Sequence, residues 1–465
     1  MSDNAFGAVI EAGPADWQIF QQNSAGVATI AAAGRWVVDA EGEVEVRLVR
    51  EDTATPVTAA LDWQKAAMLP GNKWQASLAN VPAGGLYRFE TRFRAKGTLA
   101  GEWSNRGDMR HFLGVGDLWV IAGQSNSAGY GRGPVADSPE LGLHMFRHSE
   151  TWALASHPMN EATDTKHPAN REGGNAGHSP YLHFARLLKN ELGHPIGLIP
   201  TALGGSPLSA WNPAQSSPAV LFDTMVHTAA LCGGKVKGIL WYQGESDANS
   251  TDAPTYLARF TDAVAAWRTA LGDPALPVLT VQLNRVYCCN SEPVNRDWTI
   301  LRGAQRRAAR DIPATAVVSI LDAPLSDGIH ISPAGNMAIG ERLARAALGM
   351  VHGKAIDWQC PDLASAKASA DGKEIVLTFA PVTSRLDSIA QTDNPFLIED
   401  ADGAVGIEKF IYPGDATIRL ALNRPLSGKA LIHGAYGTNP AIVPMDMERF
   451  VPILGFYGVT VHPTE

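Results

Sequence analysis

The apolar and polar positions of this 465-residue chain change texture twice. Up to about residue 115 they alternate in short runs. Val44 to Val49 reads Val-Glu-Val-Arg-Leu-Val, and Tyr87 to Phe93 repeats the alternation after the turn-like Pro82-Ala83-Gly84-Gly85. A period of two is that of a half-buried strand, and short strands parted by Gly and Pro predict a small sandwich or jelly roll. From Gly116 onward, continuous apolar runs take over. Leu118 to Ala122, Pro195 to Leu203, Lys237 to Tyr242, Val278 to Leu283 and Ala316 to Leu321 are predicted to be buried strands. Helices are predicted between them. One has Ser179 as N-cap, Pro180 at its first position and Gly193 at its C-cap. Another lies between Asp252 and Gly272, where Leu257, Phe260, Val264, Trp267 and Leu271 share one face. A closing helix runs from Pro333 to about Val351 behind Ser332 as N-cap. From about Ala355 the alternation returns, with Glu374 to Phe379 and Thr417 to Leu422 as strands.

Strands alternating with helices imply a parallel sheet with right-handed crossovers and helices on both faces. All the strand carboxyl ends then lie along one rim, where open α/β sheets place their ligands. The chain divides accordingly into an N-terminal β domain (1–115), an α/β domain (116–353) and a C-terminal β domain (354–465). The N-terminal domain either braces its neighbour or binds carbohydrate, and bracing is the simpler expectation. After the first α/β strand come about 50 polar residues rich in Gly, Asn, His and Pro. A loop of that length is functional or carries structure that the pattern conceals.

Composition narrows the function. With 45% hydrophobic and 18% charged residues the chain is an ordinary globular one, and its net charge of −9 argues against nucleic acid or an anionic membrane as partner. No apolar run of about 18 residues is present to span a bilayer. The opening Met-Ser-Asp-Asn-Ala-Phe lacks a basic region followed by an apolar core, so a cytoplasmic location is expected. The four cysteines, two of them adjacent at Cys288 and Cys289, are read as reduced thiols. His144, His157, His167 and His178 fall in the long polar segment with no zinc-like spacing, so no metal or other cofactor is expected.

Four polar clusters follow predicted strands: Gln124-Ser125-Asn126, Gly204-Gly205-Ser206, Gln243-Gly244-Glu245 and Asp327-Gly328-Ile329-His330. A serine hydroxyl needs a base within hydrogen-bond reach to become a nucleophile. His330 is the candidate base for Ser125, and Asp327 the group that fixes its tautomer, with Asp322 as a competing partner. An oxyanion would be met by the backbone N–H of Ser125, that of Gly204 or Gly205, and the Gln243 side-chain amide. Gln124, Asn126, Trp211, Glu245 and Arg285 lie beside these blocks as candidates to line the substrate cleft. Each has a plainer reading as well. The glycines end a strand, Gln243 makes a strand-end hydrogen bond, Trp211 and Arg285 pack, and Glu245 is a buried partner or a turn residue.

Together, Gly-Gln-Ser-Asn after a strand, Ala-Leu-Gly-Gly-Ser followed by Trp211, Trp241-Tyr-Gln-Gly-Glu-Ser and Asp327-Gly-Ile-His resemble the motif blocks of SGNH hydrolases. More narrowly they are similar to the sialate O-acetylesterase and acetylxylan esterase branch, where glutamine replaces the asparagine of the third block. Gly84-Gly85-Leu-Tyr and Val115-Gly116-Asp117-Leu-Trp add to the likeness, which covers roughly residues 80 to 350. It implies an α/β fold, an SGNH (flavodoxin-like) three-layer sandwich with a parallel sheet, here flanked by N- and C-terminal small β domains. It also implies a metal-free Ser–His–Asp esterase whose partner is an acetylated carbohydrate. Ser127 stands where these relatives commonly have methionine, and Ser206 where they have threonine, which leaves the sugar open. A lipase or thioesterase of the same fold and a non-catalytic carbohydrate-binding protein are the competing readings.

Overall fold

Fifteen residues, Met109–Gly123, form the strand on which the architecture is built. In the computed structural model, which describes residues 7–97, 107–161, 164–174, 177–287, 289–390 and 393–464, this strand belongs to two domains at once. Its first half pairs antiparallel with Gly84–Ala95, up to Val115 opposite Gly84. From Asp117 onward it pairs in parallel with Ile196–Pro200, and from Trp119 also with Gly238–Tyr242. Its outer residues are partly exposed, but every side chain from Leu113 to Gly123 is buried. That is why the sequence there reads as an unbroken apolar run rather than an alternating one.

The central sheet follows the order Trp152–Leu154, Leu143–Phe146, Ile196–Pro200, Met109–Gly123, Gly238–Tyr242, Val278–Val281 and Thr315–Val318. All neighbours are parallel except the edge strand Trp152–Leu154. Helices flank it. Tyr181–Leu192 packs on Pro333–Ala346, and Tyr256–Ala270 packs on Glu292–Asp311. Two of the capping signals act as the sequence implies. Ser332 Oγ accepts the Gly335 N–H at 3.3 Å, and Gly193 closes its helix at φ +73°. Ser179 does not: that helix begins at Tyr181 with Pro180 as its N-cap, and Ser179 Oγ points to Met159 Sδ at 3.5 Å instead. One core runs through this domain, with Trp119, Trp211, Trp241 and Trp267 all fully buried. Full burial of a Leu- or Phe-sized side chain stabilises a fold by about 1.5–3 kcal/mol, and each of these larger indoles contributes at least that.

The N-terminal residues form a four-stranded sheet (Gly7–Ala12, Val27–Val37, Lys73–Pro82, Ala67–Leu69) with a separate core. That core lies against Gly42–Arg50 and Gly84–Ala95, which extend the central sheet. The C-terminal residues curl into an eight-stranded sheet with its own core. It is docked by Arg302, a fully buried guanidinium that donates to the carbonyls of Leu283, Asn284, Ala435, Gly437 and Thr438.

The polar segment after Ser125 carries hidden structure, Leu143–Phe146 and Trp152–Leu154. His144 is buried there, its Nδ1 lying 2.7 Å from the Trp17 carbonyl oxygen, and burial lowers its pKa to about 4. Met1 to Phe6 and Cys288 lie outside the described residues. Cys232 and Cys360 are buried thiols, and burial raises the pKa of both. No helix among the described residues is long and apolar enough to cross a membrane.

Candidate active site

The chain leaves Met109–Gly123 first toward Leu143–Phe146 and Ile196–Pro200, then toward Gly238–Tyr242 and the strands beyond it. The carboxyl end of that strand is therefore the switch point of the sheet, where a crevice opens. Gly123 turns the backbone there at φ +125°, and a Cβ would sit 2.1 Å from the Tyr242 carbonyl oxygen. Only glycine fits. Ser125 opens the single-turn helix Ser125–Ala128 and keeps 9% exposure.

His330 Nε2 lies 3.0 Å from Ser125 Oγ, and His330 Nδ1 lies 2.7 Å from Asp327 Oδ2. An ionised carboxylate only accepts, so Nδ1 carries the ring proton and Nε2 accepts from the serine hydroxyl. Asp327 Oδ1 accepts the backbone N–H groups of Ile329 (2.9 Å) and His330 (2.7 Å). Burial pushes the Asp327 carboxyl up, but these hydrogen bonds and the histidine hold it below its ordinary range. Asp322 is not the partner, because it pairs with Arg342 through both oxygens at 2.7 Å. The arrangement can pass a proton from hydroxyl to imidazole as the oxygen attacks an acyl carbon.

The donor side differs from the sequence expectation at two positions. Gly204 N–H is held by Glu172 Oε1 at 2.9 Å, whereas the N–H groups of Gly205 and Ser125 have no partner among the described residues. Gln243 is fully buried and its amide is committed. Its Nε2 donates to Asp247 Oδ2 (2.5 Å) and the Ser206 carbonyl (3.3 Å), and its Oε1 accepts from Tyr256 (3.0 Å). Gln243 thus braces the turn beneath the site rather than facing an oxyanion. Gln124 is oriented the other way. Its Oε1 accepts the N–H groups of Gly244 and Ser246, leaving its Nε2 without a partner among the described residues, one position from Ser125.

Four expected cleft residues are used inside the protein. Asn126 donates to Glu245 Oε1 at 2.8 Å and to the Ile329 carbonyl at 3.3 Å, and accepts Ile331 N–H at 2.9 Å. It clamps the His330 loop. Glu245 stands behind it with Oε2 enclosed and unpartnered among the described residues, and burial raises its pKa. Trp211 is fully buried, stacks edge-on against Trp241 and donates Nε1 to Ser206 Oγ at 3.1 Å, so it packs. Arg285 donates Nη2 to the Ala323 carbonyl at 3.1 Å. Two residues on, Tyr287 N–H donates to the Gly328 carbonyl at 2.9 Å, which lays this segment beside the His330 loop.

Tyr130 and Glu172 also belong to the site. The Tyr130 ring stacks on His330 with centroids 4.9 Å apart and planes 25° from parallel, and its hydroxyl donates to Glu172 Oε2 at 2.6 Å. Nothing in the offsets signals either contact, because Glu172 comes from the long polar segment.

Among the described residues, two groupings bring three metal-type donors together, Asp137/His157/His178 and Glu150/His167/His227. In the first, both histidine Nε2 atoms lie 3.0 Å from Asp137 Oδ2, and Arg186 donates to Oδ1 at 2.5 Å. Ser179 N–H donates to His157 Nδ1 at 3.4 Å, which puts the His157 proton on Nε2, toward the carboxylate. The cluster is accounted for as a hydrogen-bonded ion network.

Residues 115–349 match the family model described as "Carbohydrate esterase, sialic acid-specific acetylesterase". A probable carbohydrate esterase of Arabidopsis thaliana is 26% identical over 254 residues, which is 50% of this chain and 90% of that one. Human sialate O-acetylesterase is 35% identical over 107 residues, 18% of this chain and 20% of that one. The chain thus spans most of the plant protein but only a fifth of the human one. Among solved structures, a carbohydrate acetylesterase from Xanthomonas citri matches over 96% of this chain and 99% of its own, with TM-score 0.67 and 22% identity. That likeness shows a shared fold along nearly the whole chain, β domains included. The protein belongs to the carbohydrate esterase, sialic acid-specific acetylesterase family, and is a carboxylic ester hydrolase.

Proposed function

We propose that this chain is a serine esterase that removes O-acetyl groups from a carbohydrate through an acetyl-enzyme. The observation that carries the reading is the unbroken hydrogen-bonded line from Ser125 Oγ through His330 to Asp327, at 3.0 and 2.7 Å. In this reading Ser125 Oγ attacks the acetyl carbonyl as His330 Nε2 takes its proton. The tetrahedral oxyanion is met by the unpartnered N–H groups of Ser125 and Gly205, with the Gln124 amide as a third donor. His330 returns the proton to the departing sugar alkoxide, and the ester now links the acetyl group to Ser125. Water, deprotonated by His330, attacks that ester, and acetate leaves as Ser125 recovers its proton. Asp327 keeps the imidazole in the required tautomer and offsets the charge of the imidazolium.

The sugar is the finer question. Relatives named sialate O-acetylesterase favour an acetylated sialic acid, and the plant and Xanthomonas relatives are named only for carbohydrate. The test is acetate release from O-acetylated sialic acid, acetylated xylan and other acetylated polysaccharides, with p-nitrophenyl acetate and octanoate alongside. Acetate release from a sugar and a strong preference for the acetyl ester, both lost in Ser125→Ala, are expected. Octanoate preference would overturn the substrate assignment, and turnover retained by Ser125→Ala would overturn the nucleophile.

A further inference from the structure

One buried carboxylate outside the Ser125, His330 and Asp327 set touches two sides of the site at once. Glu172 is 4% exposed. Its Oε1 accepts Gly204 N–H at 2.9 Å and the Asn160 amide at 3.1 Å, and its Oε2 accepts the Tyr130 hydroxyl at 2.6 Å. Asn160 in turn donates to the Ala202 carbonyl at 2.5 Å, in the same turn as Gly204. Tyr130 then lays its ring on His330. The glycine turn that offers Gly205 N–H and the aromatic face on the imidazole are therefore fixed by a single group. The fit is close, since a Cβ on Gly204 would lie 3.0 Å from Glu172 Oε2 and 3.1 Å from the Tyr130 hydroxyl.

We propose that Tyr130 and Glu172 are positioning residues for His330: the Tyr130 ring holds the imidazole and favours its protonated form during turnover, and Glu172 sets Tyr130 and the Gly204 turn together. This rests on His330 acting as the base in the reading above. An aromatic face attracts a cation within about 6 Å of its centroid. A phenol donating to a carboxylate is polarised, which makes the ring more electron-rich. Burial, and then the Glu172 hydrogen bond and charge, raise the Tyr130 pKa, so the hydroxyl keeps the proton it donates. The other groups facing His330 are Asp327 on its own loop and Glu245 behind Asn126. The Arg132 charge acts on Tyr130 in the opposite sense to Glu172 and lowers its pKa.

The test compares wild type with Tyr130→Leu, Tyr130→Phe, Glu172→Gln and the Tyr130→Phe/Glu172→Gln double variant. Two readouts are used, kcat and KM across pH for p-nitrophenyl acetate, and the ring NMR titration of His330, identified by its loss in His330→Gln. In Tyr130→Leu the acid limb of kcat/KM and the His330 titration are expected to move down together by about half a pH unit. The same variant should lose about tenfold in kcat with KM nearly constant. Tyr130→Phe keeps the ring and should recover most of the titration shift. Glu172→Gln and Tyr130→Phe break the same link, so the double variant should be hardly worse than the more impaired single one. An unmoved titration in folded Tyr130→Leu, or losses that multiply in the double variant, overturns the inference. The NMR titration is read without turnover, so a failure of the esterase reading shows separately, as activity surviving Ser125→Ala.

Discussion

Asp327 holds His330 with both of its oxygens: Oδ2 takes the ring Nδ1 at 2.7 Å, and Oδ1 takes the His330 backbone N–H, also at 2.7 Å. The loop and the ring are thereby fixed by one side chain. In Asp327→Asn the amide nitrogen would oppose the ring N–H or force the wrong tautomer, so kcat should fall. Where such a carboxylate is buried the loss is about 10⁴-fold. The Asp327 side chain is 47% exposed, so solvent screens its charge, and about 100-fold is expected. Stopped or steady-state hydrolysis of p-nitrophenyl acetate at neutral pH measures it, and a change under threefold would contradict the role.

The same carboxyl has a pH signature in stability. Its folded pKa is lowered, so its contribution is present above the unfolded value and is lost as pH falls through the folded one. Urea unfolding between about pH 3 and 6 should therefore show a shallower acid decline in Asp327→Asn than in wild type. Identical slopes would mean that Asp327 is not held as described.

Glu245, which Asn126 holds, carries the opposite sign. Burial raises the Glu245 pKa, so its contribution is fully present below the unfolded value and is lost as pH rises through the folded one. Glu245→Gln keeps an acceptor for Asn126 and removes a charge that burial disfavours, so its Tm above pH 7 should equal or exceed wild type. Asn126→Ala removes the clamp on Ile329 and Ile331, and kcat should drop about 100-fold with only a modest Tm change. Differential scanning fluorimetry across pH and steady-state kinetics check the pair.

What could be read from the chain alone was what one residue type in one pattern dictates. Ser125 and His330 lie 205 positions apart, yet parallel topology brings strand ends to one rim, and their atoms meet at 3.0 Å. Buried strands were legible because both faces are covered, and the fold extends that logic back through Leu113. Leu143–Phe146 was not legible, because His144 and the polar residues around it disguise a buried strand whose ring is satisfied by a distant carbonyl. The helix Glu292–Asp311 is not legible either. It is dominated by charged and polar residues, and its buried Arg302 and Arg306 are stabilised by carbonyls and by Asp362 from elsewhere in the fold. Side-chain direction was the least accessible. Gln243 and Gln124 are both glutamines at strand ends, and only their neighbours decide which amide is spent internally.

Gly123 offers a test of the turn that presents the hydroxyl. At φ +125° with a backbone oxygen 2.1 Å from any Cβ, Gly123→Ala cannot be relieved by a rotamer change. The strand end must move away from Gly238–Tyr242. Folded protein, if recovered, should have lost several degrees in Tm and nearly all turnover. Wild-type activity in this variant would show that the strand end does not set the Ser125 position.

Arg302 tests the docking of the C-terminal domain. Burial depresses its pKa to about 9, yet at neutral pH it stays charged, with carbonyl partners on both sides of the domain junction. Arg302→Met fills similar volume but strands those carbonyls, and each unsatisfied buried acceptor costs about 1–3 kcal/mol. A net loss of about 3–5 kcal/mol is expected by denaturant unfolding, as for a buried pair with one partner removed. Arg302→Lys should recover little, since a single ammonium has three donors and lacks the planar fork. The effect should also reach the site. Thr438 accepts Val286 N–H at 2.9 Å, and Tyr287 N–H holds Gly328, so loosening 435–438 frees the segment that borders the His330 loop. In protein still folded at low temperature, kcat for Arg302→Met should therefore fall more than about fivefold. Full activity alongside the lost stability would confine the C-terminal domain to bracing.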